Sequence, residues 1–314
     1  MVFLKVLGRL GRAGLSAALF PMCVPQMASA TFFSQLQGIN ASDNSSNYNI
    51  LFSGTSSHTM QVTNVAVNGN IGVAGTGNLS FSGPGTINGS ISFAASSIGQ
   101  YASTNVANIG PSSVSYGVSN LSVDLTDLTS LSATLAGRSG TTLSINGTQT
   151  VAANTGALDS SGNFLFNVGS NFSESNGQVL TINGTGLSSN QTVVFNLNAN
   201  TTLGGSVTLI NLNSDQVVFN VTGGKSVTLS TNTSGYPSVE WQGIILDTGG
   251  AISVSNSNFA GRLYGGGAND MPIVTNSNLS APSVMSATPE PSSALLVVAG
   301  MFAASRWRQR AKPI

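Results

Sequence analysis

The sequence predicts an all-β chain wound into a parallel β-solenoid, with one long amphipathic helix packed alongside. Three observations point there: short β-favouring runs cut by glycine and asparagine turns, a recurring tetrapeptide, and a scarcity of charge. The same turns also suit an antiparallel β-sandwich, which is the alternative architecture. Charged residues make up 6% of the 314 positions, against roughly 25% in an ordinary soluble domain, while 40% are hydrophobic. Stacked coils bring like side chains into rows, where asparagine and threonine can hydrogen-bond and like charges repel. A long β chain with few charges fits that constraint. The scarcity of charge also removes the basic stripe that nucleic-acid binding needs.

The strand candidates include Met60–Val65, Gly89–Phe93, Thr192–Leu197 and Ser226–Leu229, and Val207–Asn213 alternates apolar with polar residues. The pattern (Ile/Val)-Asn-Gly-(Ser/Thr/Asn) begins at Val67, Ile87, Ile145 and Ile182. Its spacings lie near multiples of about 19 residues, the length of one coil with three short strands. One segment departs from this. Val114, Val118, Leu121, Leu125, Leu128 and Leu135 recur at helical steps, predicting a helix over about 114–136 that ends at Gly137. Its glycine, serine and threonine content makes it weak alone, so it must lie on the solenoid, with Asp124 and Asp127 near its solvent side.

Both ends read as addresses. Residues 1–30 combine Lys5, Arg9 and Arg12 with an apolar stretch, Ala13–Val24, and a small-residue ending in which Ala28 and Ala30 suit signal peptidase. Cleavage after Ala30 discards Cys23, the single cysteine, and with it any disulfide, thiolate or sulfur-ligated metal. Between Thr31 and Thr288 there are three basic and nine acidic residues, so the exported body, 31–286, is mildly acidic.

At the other end, over 287–314, Pro289-Glu290-Pro291 precedes the apolar run Ala294–Ala304, followed by Arg306, Arg308, Arg310 and Lys312. This order resembles the PEP-CTERM sorting signal of Gram-negative bacteria that make exopolysaccharide. The resemblance implies an exosortase that cuts near the Pro-Glu-Pro, and transient inner-membrane contact with the arginines inside. The apolar run falls short of the about 20 residues of a stable span, which suits a transient hold.

The body carries a second resemblance. It runs through Tyr48-Asn49-Ile50-Leu51-Phe52, then Val67-Asn68-Gly69-Asn70-Ile71-Gly72-Val73 and Phe81 to Phe93. The helix ending Leu131 to Ala136 follows, then Val217 to Val221, Trp241 to Leu246 and Phe259 to Tyr264. Together these resemble the choice-of-anchor A family of bacterial surface proteins. More distantly, they are similar to the ice-binding-like adhesin domain. That resemblance implies a right-handed solenoid with a helix along one side. Where family members often have Ala-Pro-Asn after the tryptophan strand, this chain has Asp247-Thr248-Gly249.

Residues suited to chemistry are few. His58 is the single histidine, in a Ser/Thr loop, and cannot build a zinc site. A solenoid glycosidase or lyase would need paired carboxylates, for which Glu240, Asp247 and Asp270 are the candidates, with Trp241 between the first two. The competing role for Trp241 is packing. Gly265 to Asp270 is similar to one turn of a calcium nonapeptide repeat, but as a single copy it reads as a solvated turn. The leading expectation is therefore a non-catalytic, exported surface or matrix protein without cofactor or metal, associated with exopolysaccharide. Ice binding and polysaccharide cleavage are the alternatives.

Overall fold

The computed structural model describes residues 47–280, except 56–58, 97–98, 106–107, 170–171, 176, 231–238 and 267–272. Ala28, Ala30, His58, Asp270, Pro289, Glu290, Pro291, Arg306, Arg308 and Arg310 lie outside the described residues.

Each coil turns through three faces. Strand Ile50–Gly54 lies on the first, Thr59–Thr63 on the second and Ala66–Asn68 on the third, before Ile71–Gly75 returns to the first directly beside Ile50–Gly54. Among the described residues, every strand pair is parallel except Ala157–Leu158 against Phe164–Val168. Parallel neighbours a full coil apart make this a β-solenoid; a sandwich would require antiparallel hairpins. Coil length varies, from 18 residues between Ile244 and Arg262 to 31 between Gln149 and Leu180. The regular period of the tetrapeptide is therefore only partly real. Val67 and Ile87 do stack as neighbours, whereas Ile182 stacks between Val151 and Leu209. Longer turns in the C-terminal coils carry the motif out of step.

Chain order and stacking order differ. The N-terminal coils run outward to strand Ser113–Ser115, after which helix α1, Asn120–Ala136, carries the chain back. Coiling resumes at Thr141–Leu143 and proceeds until strand Ser257–Gly265 pairs with Ile50–Gly54 in the middle of the stack. The helix begins at Asn120, later than the periodicity suggests. Val114 belongs to the last coil, paired with Ile91, and Gly117 at φ +73° turns the chain out of that coil first.

Two apolar layers hold the molecule. Inside the coils, Phe166, Phe195 and Phe219 stack with ring centroids 5.1 and 5.3 Å apart, and Trp241 closes the column 5.2 Å from Phe219. Outside the first face, Leu51, Leu165, Val194, Val218, Ile244 and Leu246 receive Leu121, Leu128, Leu131 and Leu135 of α1. Gly72 makes this approach possible: a Cβ there would lie 2.7 Å from Leu51 and 2.9 Å from Leu121. Asp124 shares the buried stripe of α1 and is 2% exposed, which corrects its expected solvent position. It lies three residues from Leu121 and four from Leu128, on the side that docks.

Candidate functional site

The three faces meet water differently. The first is covered by α1. The second is an eight-stranded parallel sheet, here termed the open face. Its inward row is aliphatic, running Leu203, Leu229, Val254, Val274, Val62 and Phe81 across successive strands. One outward row runs Thr202, Thr228, Ser253, Ile273, Gln61, Ser80 and Ala102. The other runs Ser230, Ser255, Thr275, Thr63 and Ser82, and the Thr63 and Ser82 hydroxyls are 2.8 Å apart. Neither row contains a charged side chain. Strands about 4.8 Å apart and rows two residues apart make a grid of hydroxyls and amides of roughly 4.8 by 6.6 Å.

Asparagine columns mark the edges of the faces. At the corner between the open and third faces, Asn64 donates to Asn276 at 2.9 Å and Asn276 to Asn256 at 3.2 Å. All three adopt left-handed backbone, with φ of 54°, 46° and 50°. Asparagine tolerates that conformation better than most residues, so one residue type both turns the corner and ties the coils. On the third face, Asn88 donates to Asn68 at 2.7 Å and Asn68 to Asn278 at 3.3 Å. A further column is buried beneath α1. Asn220 donates to the Oδ1 of Asn196 at 2.8 Å and to the Ser132 carbonyl at 3.0 Å, and accepts from the Ser132 hydroxyl at 2.7 Å. Asn196 donates to the Leu135 carbonyl at 2.9 Å and to Asn167 at 3.2 Å. The sequence does carry a sign of this column: Phe-Asn recurs at 166–167, 195–196 and 219–220, each time between aliphatics.

The acidic residues are scattered. Glu240 is exposed and Asp247 fully buried, seven positions apart in strand Val239–Asp247. The strand turns a corner between them at Gly243, so Glu240 stands on the third face and Asp247 on the helix-covered face, and the two do not share a cleft as a glycosidase pair must. Asp247 accepts the backbone N–H of Gly250 at 2.8 Å, shaping the turn that follows its strand. Trp241 is 1% exposed and donates its indole N–H to the Gly205 carbonyl at 2.9 Å, so it is a core residue. Among the described residues no cluster of three His, Cys, Asp or Glu could hold a metal. No helix among them is long and apolar enough to cross a membrane.

Three charged groups have structural posts that the sequence analysis did not identify. Arg262 reaches Asp215 through Nε at 2.8 Å and Nη2 at 3.2 Å, and donates Nη1 to the Tyr48 carbonyl at 3.1 Å. Asp159 is clipped to Arg138 just beyond α1 and accepts the N–H groups of Ser161 and Asn163 at 2.9 and 2.8 Å. Burial opposes its charge, but the bonds from Asn163, Arg138 and Ser161 outweigh it and hold the carboxyl below its usual range. Glu174 takes the position beside Leu203 in the aliphatic inward row, 3% exposed. Burial pushes its carboxyl up to about 8. No periodicity argument finds it, because it sits where an aliphatic residue belongs.

A solenoid with an uncovered, uncharged open face and scattered acids has the architecture of a surface or adhesive protein. The chain belongs to the ice-binding-like adhesive domain family, whose model matches residues 36–300. No curated protein matches it. Among solved structures it is similar to an ice-binding protein from the Antarctic ascomycete Antarctomyces psychrotrophicus, at 14% identity and TM-score 0.48, over 76% of this chain and 96% of that one. An ice-binding protein from an Arctic yeast is similar at 17% identity and TM-score 0.47, over 76% and 93%. The ice-binding protein 1 domain of Shewanella frigidimarina is similar at 16% identity and TM-score 0.47, over 76% and 95%.

Proposed function

We propose that this chain is a non-catalytic, exported surface protein whose open face holds a neutral, hydroxyl-rich polymer such as exopolysaccharide. The observation that carries the reading is the pair of uncharged, hydroxyl-rich outward rows that run across seven and five strands of the open face. A repeated grid suits a repeated ligand: each contact is weak, and a polymer that engages many at once gains through effective concentration. The export signal at 1–30 and the tail at 287–314 supply the sorting half of the proposal, with an exosortase as processing partner. Mass spectrometry of the exported form tests that half; the expected result is loss of everything near and beyond Pro291.

The binding half is tested by retention of the protein on exopolysaccharide from its own host. Replacing Thr228 and Ser253 by glutamate puts two adjacent charges on the open face, and retention should fall at least tenfold while the fold persists. Unaltered retention would overturn the assignment of this face.

The family's description supports ice as a second ligand. Against it, Ile273, Gln61 and Ala102 interrupt one row and serine is mixed with threonine in both, so the methyl and hydroxyl lattice is irregular. Recrystallisation inhibition at micromolar protein decides between the two; the expected result is none.

A further inference from the structure

The two ends of the described chain meet at one slot. Ser280 ends the last strand of the third face, paired with Asn68 on one side, and its neighbour across the stack is Ala260. Asn49 lies at the start of the first face: its N–H donates to the Asn70 carbonyl at 2.9 Å, and its carbonyl accepts the Leu263 N–H at 2.8 Å. Its side chain fills the space beside Gly69, where a Cβ would fall 1.8 Å from Oδ1. In the neighbouring coils this corner is crossed by Gly261 alone or by Gly69 and Asn70. Ser280 and Asn49 therefore flank the gap that one or two residues would close in an unbroken coil. The arm on the N-terminal side is pinned there, since the Tyr48 carbonyl accepts from both Arg262 and the Tyr264 hydroxyl.

This corner joins the third face to the helix-covered face. In a three-sided coil it is the corner opposite the open face. We infer that the chain on both sides of the described body leaves it at this corner, behind the molecule, so that an attachment made through either side, whether a membrane anchor, a processing enzyme or a further domain, leaves the open face pointing away from it and towards the polymer. The inference deepens the proposed function and rests on it for what the open face binds; the placement of the ends does not depend on that reading. A tail leaving from the open face or from either corner that borders it would lay that face against its own support.

The test uses the full chain in a Cys23→Ser background, with single cysteines at Gln61→Cys or Thr202→Cys on the open face and Asn68→Cys or Asn88→Cys beside the slot. All four positions are exposed. A biotin-acceptor peptide inserted after Ala287 captures the chain on streptavidin, and a dextran-coupled maleimide probes each cysteine, free and captured. The ratio of open-face to slot-side labelling should rise at least threefold on capture; an unchanged or falling ratio overturns the inference. A circular permutant, with Ser280 joined to Asn47 through two glycines and new ends opened between Gly54 and Thr59, should shift the ratio the other way when captured through its new C-terminus. If the permutant does not fold, the first comparison still decides. Failure of exopolysaccharide retention in solution would sink the ligand and leave these ratios intact.

Discussion

The column Asn167, Asn196 and Asn220 and the column Asn256, Asn276 and Asn64 use the same amide in opposite surroundings. The first lies under a helix, with Asn220 wholly buried, and its amides tie α1 to the coils. The second stands in water at a corner. In the buried column, a lost amide strands its partners without solvent; at the corner, water replaces what is lost. The difference teaches that the asparagine content of this chain serves two purposes. One is to fasten layers together, the other to set backbone geometry where the coil must turn.

Glu174 sharpens the comparison most, as a buried polar group with no column to join. Its carboxyl is protonated in the fold up to about pH 8 and ionises near 4.5 in the unfolded chain. A raised folded value means that full stability is present below pH 4.5 and is lost as pH rises to about 8. The expected loss is on the order of 4–5 kcal/mol, by about 1.4 kcal/mol per unit of displacement. Urea unfolding of the wild type at pH 4.5 and 9 should show it, and Glu174→Gln should abolish most of the slope. Glu174→Leu, which continues the row of Leu203 and Leu229, should raise stability at pH 9. An equal slope in the glutamine variant would move the effect elsewhere. Asp159 has the opposite sign: its lowered carboxyl contributes stability above pH 3.8 that disappears as pH falls through its folded value.

Breaking the buried column comes next. Asn220→Ala removes the bonds to Asn196 and Ser132 and leaves the Ser132 carbonyl and hydroxyl facing apolar surroundings. A loss of about 3 kcal/mol is expected in denaturant unfolding, from one or two stranded buried groups and a small cavity. Asn220→Ala combined with Ser132→Ala should cost less than the sum of the two single changes, because the partners disappear together. Full additivity would mean that the column does not couple the helix to the sheet.

Much of this architecture is legible in the sequence because the coil is written in local rules. Alternation in Val207–Leu212 and the Val67 and Ile87 tetrapeptides mark strands and corners directly, and the low charge content reflects their stacking. Coil order is not legible. Nothing in residues 50–54 says that they will pair with 263–265, because that pairing follows from α1 returning the chain to the other end of the stack. Asp124 misleads for a related reason: periodicity counts a carboxylate as outward, while the docked stripe is chosen by the leucines on either side of it. The open face is legible as composition, but its rows exist only once coils of unequal length are set in register.

The smallest effect tests the exposed column at Asn276, where conformation and hydrogen bonding can be separated. Asn276→Gly keeps access to φ 46° and deletes the amide that bridges Asn64 and Asn256. Asn276→Ala deletes the same amide and also forces a Cβ into left-handed backbone, at about 1–2 kcal/mol. If the corner asparagines serve mainly to turn the chain, the glycine variant should unfold within about 0.5 kcal/mol of wild type, apart from the added freedom of its unfolded state, and the alanine variant about 1 kcal/mol below it. If instead the amide column carries the stability, the two variants should fall together. Denaturant midpoints of the two variants, measured side by side, separate these outcomes. The first result would leave the buried column as the one that fastens and the exposed column as the one that bends.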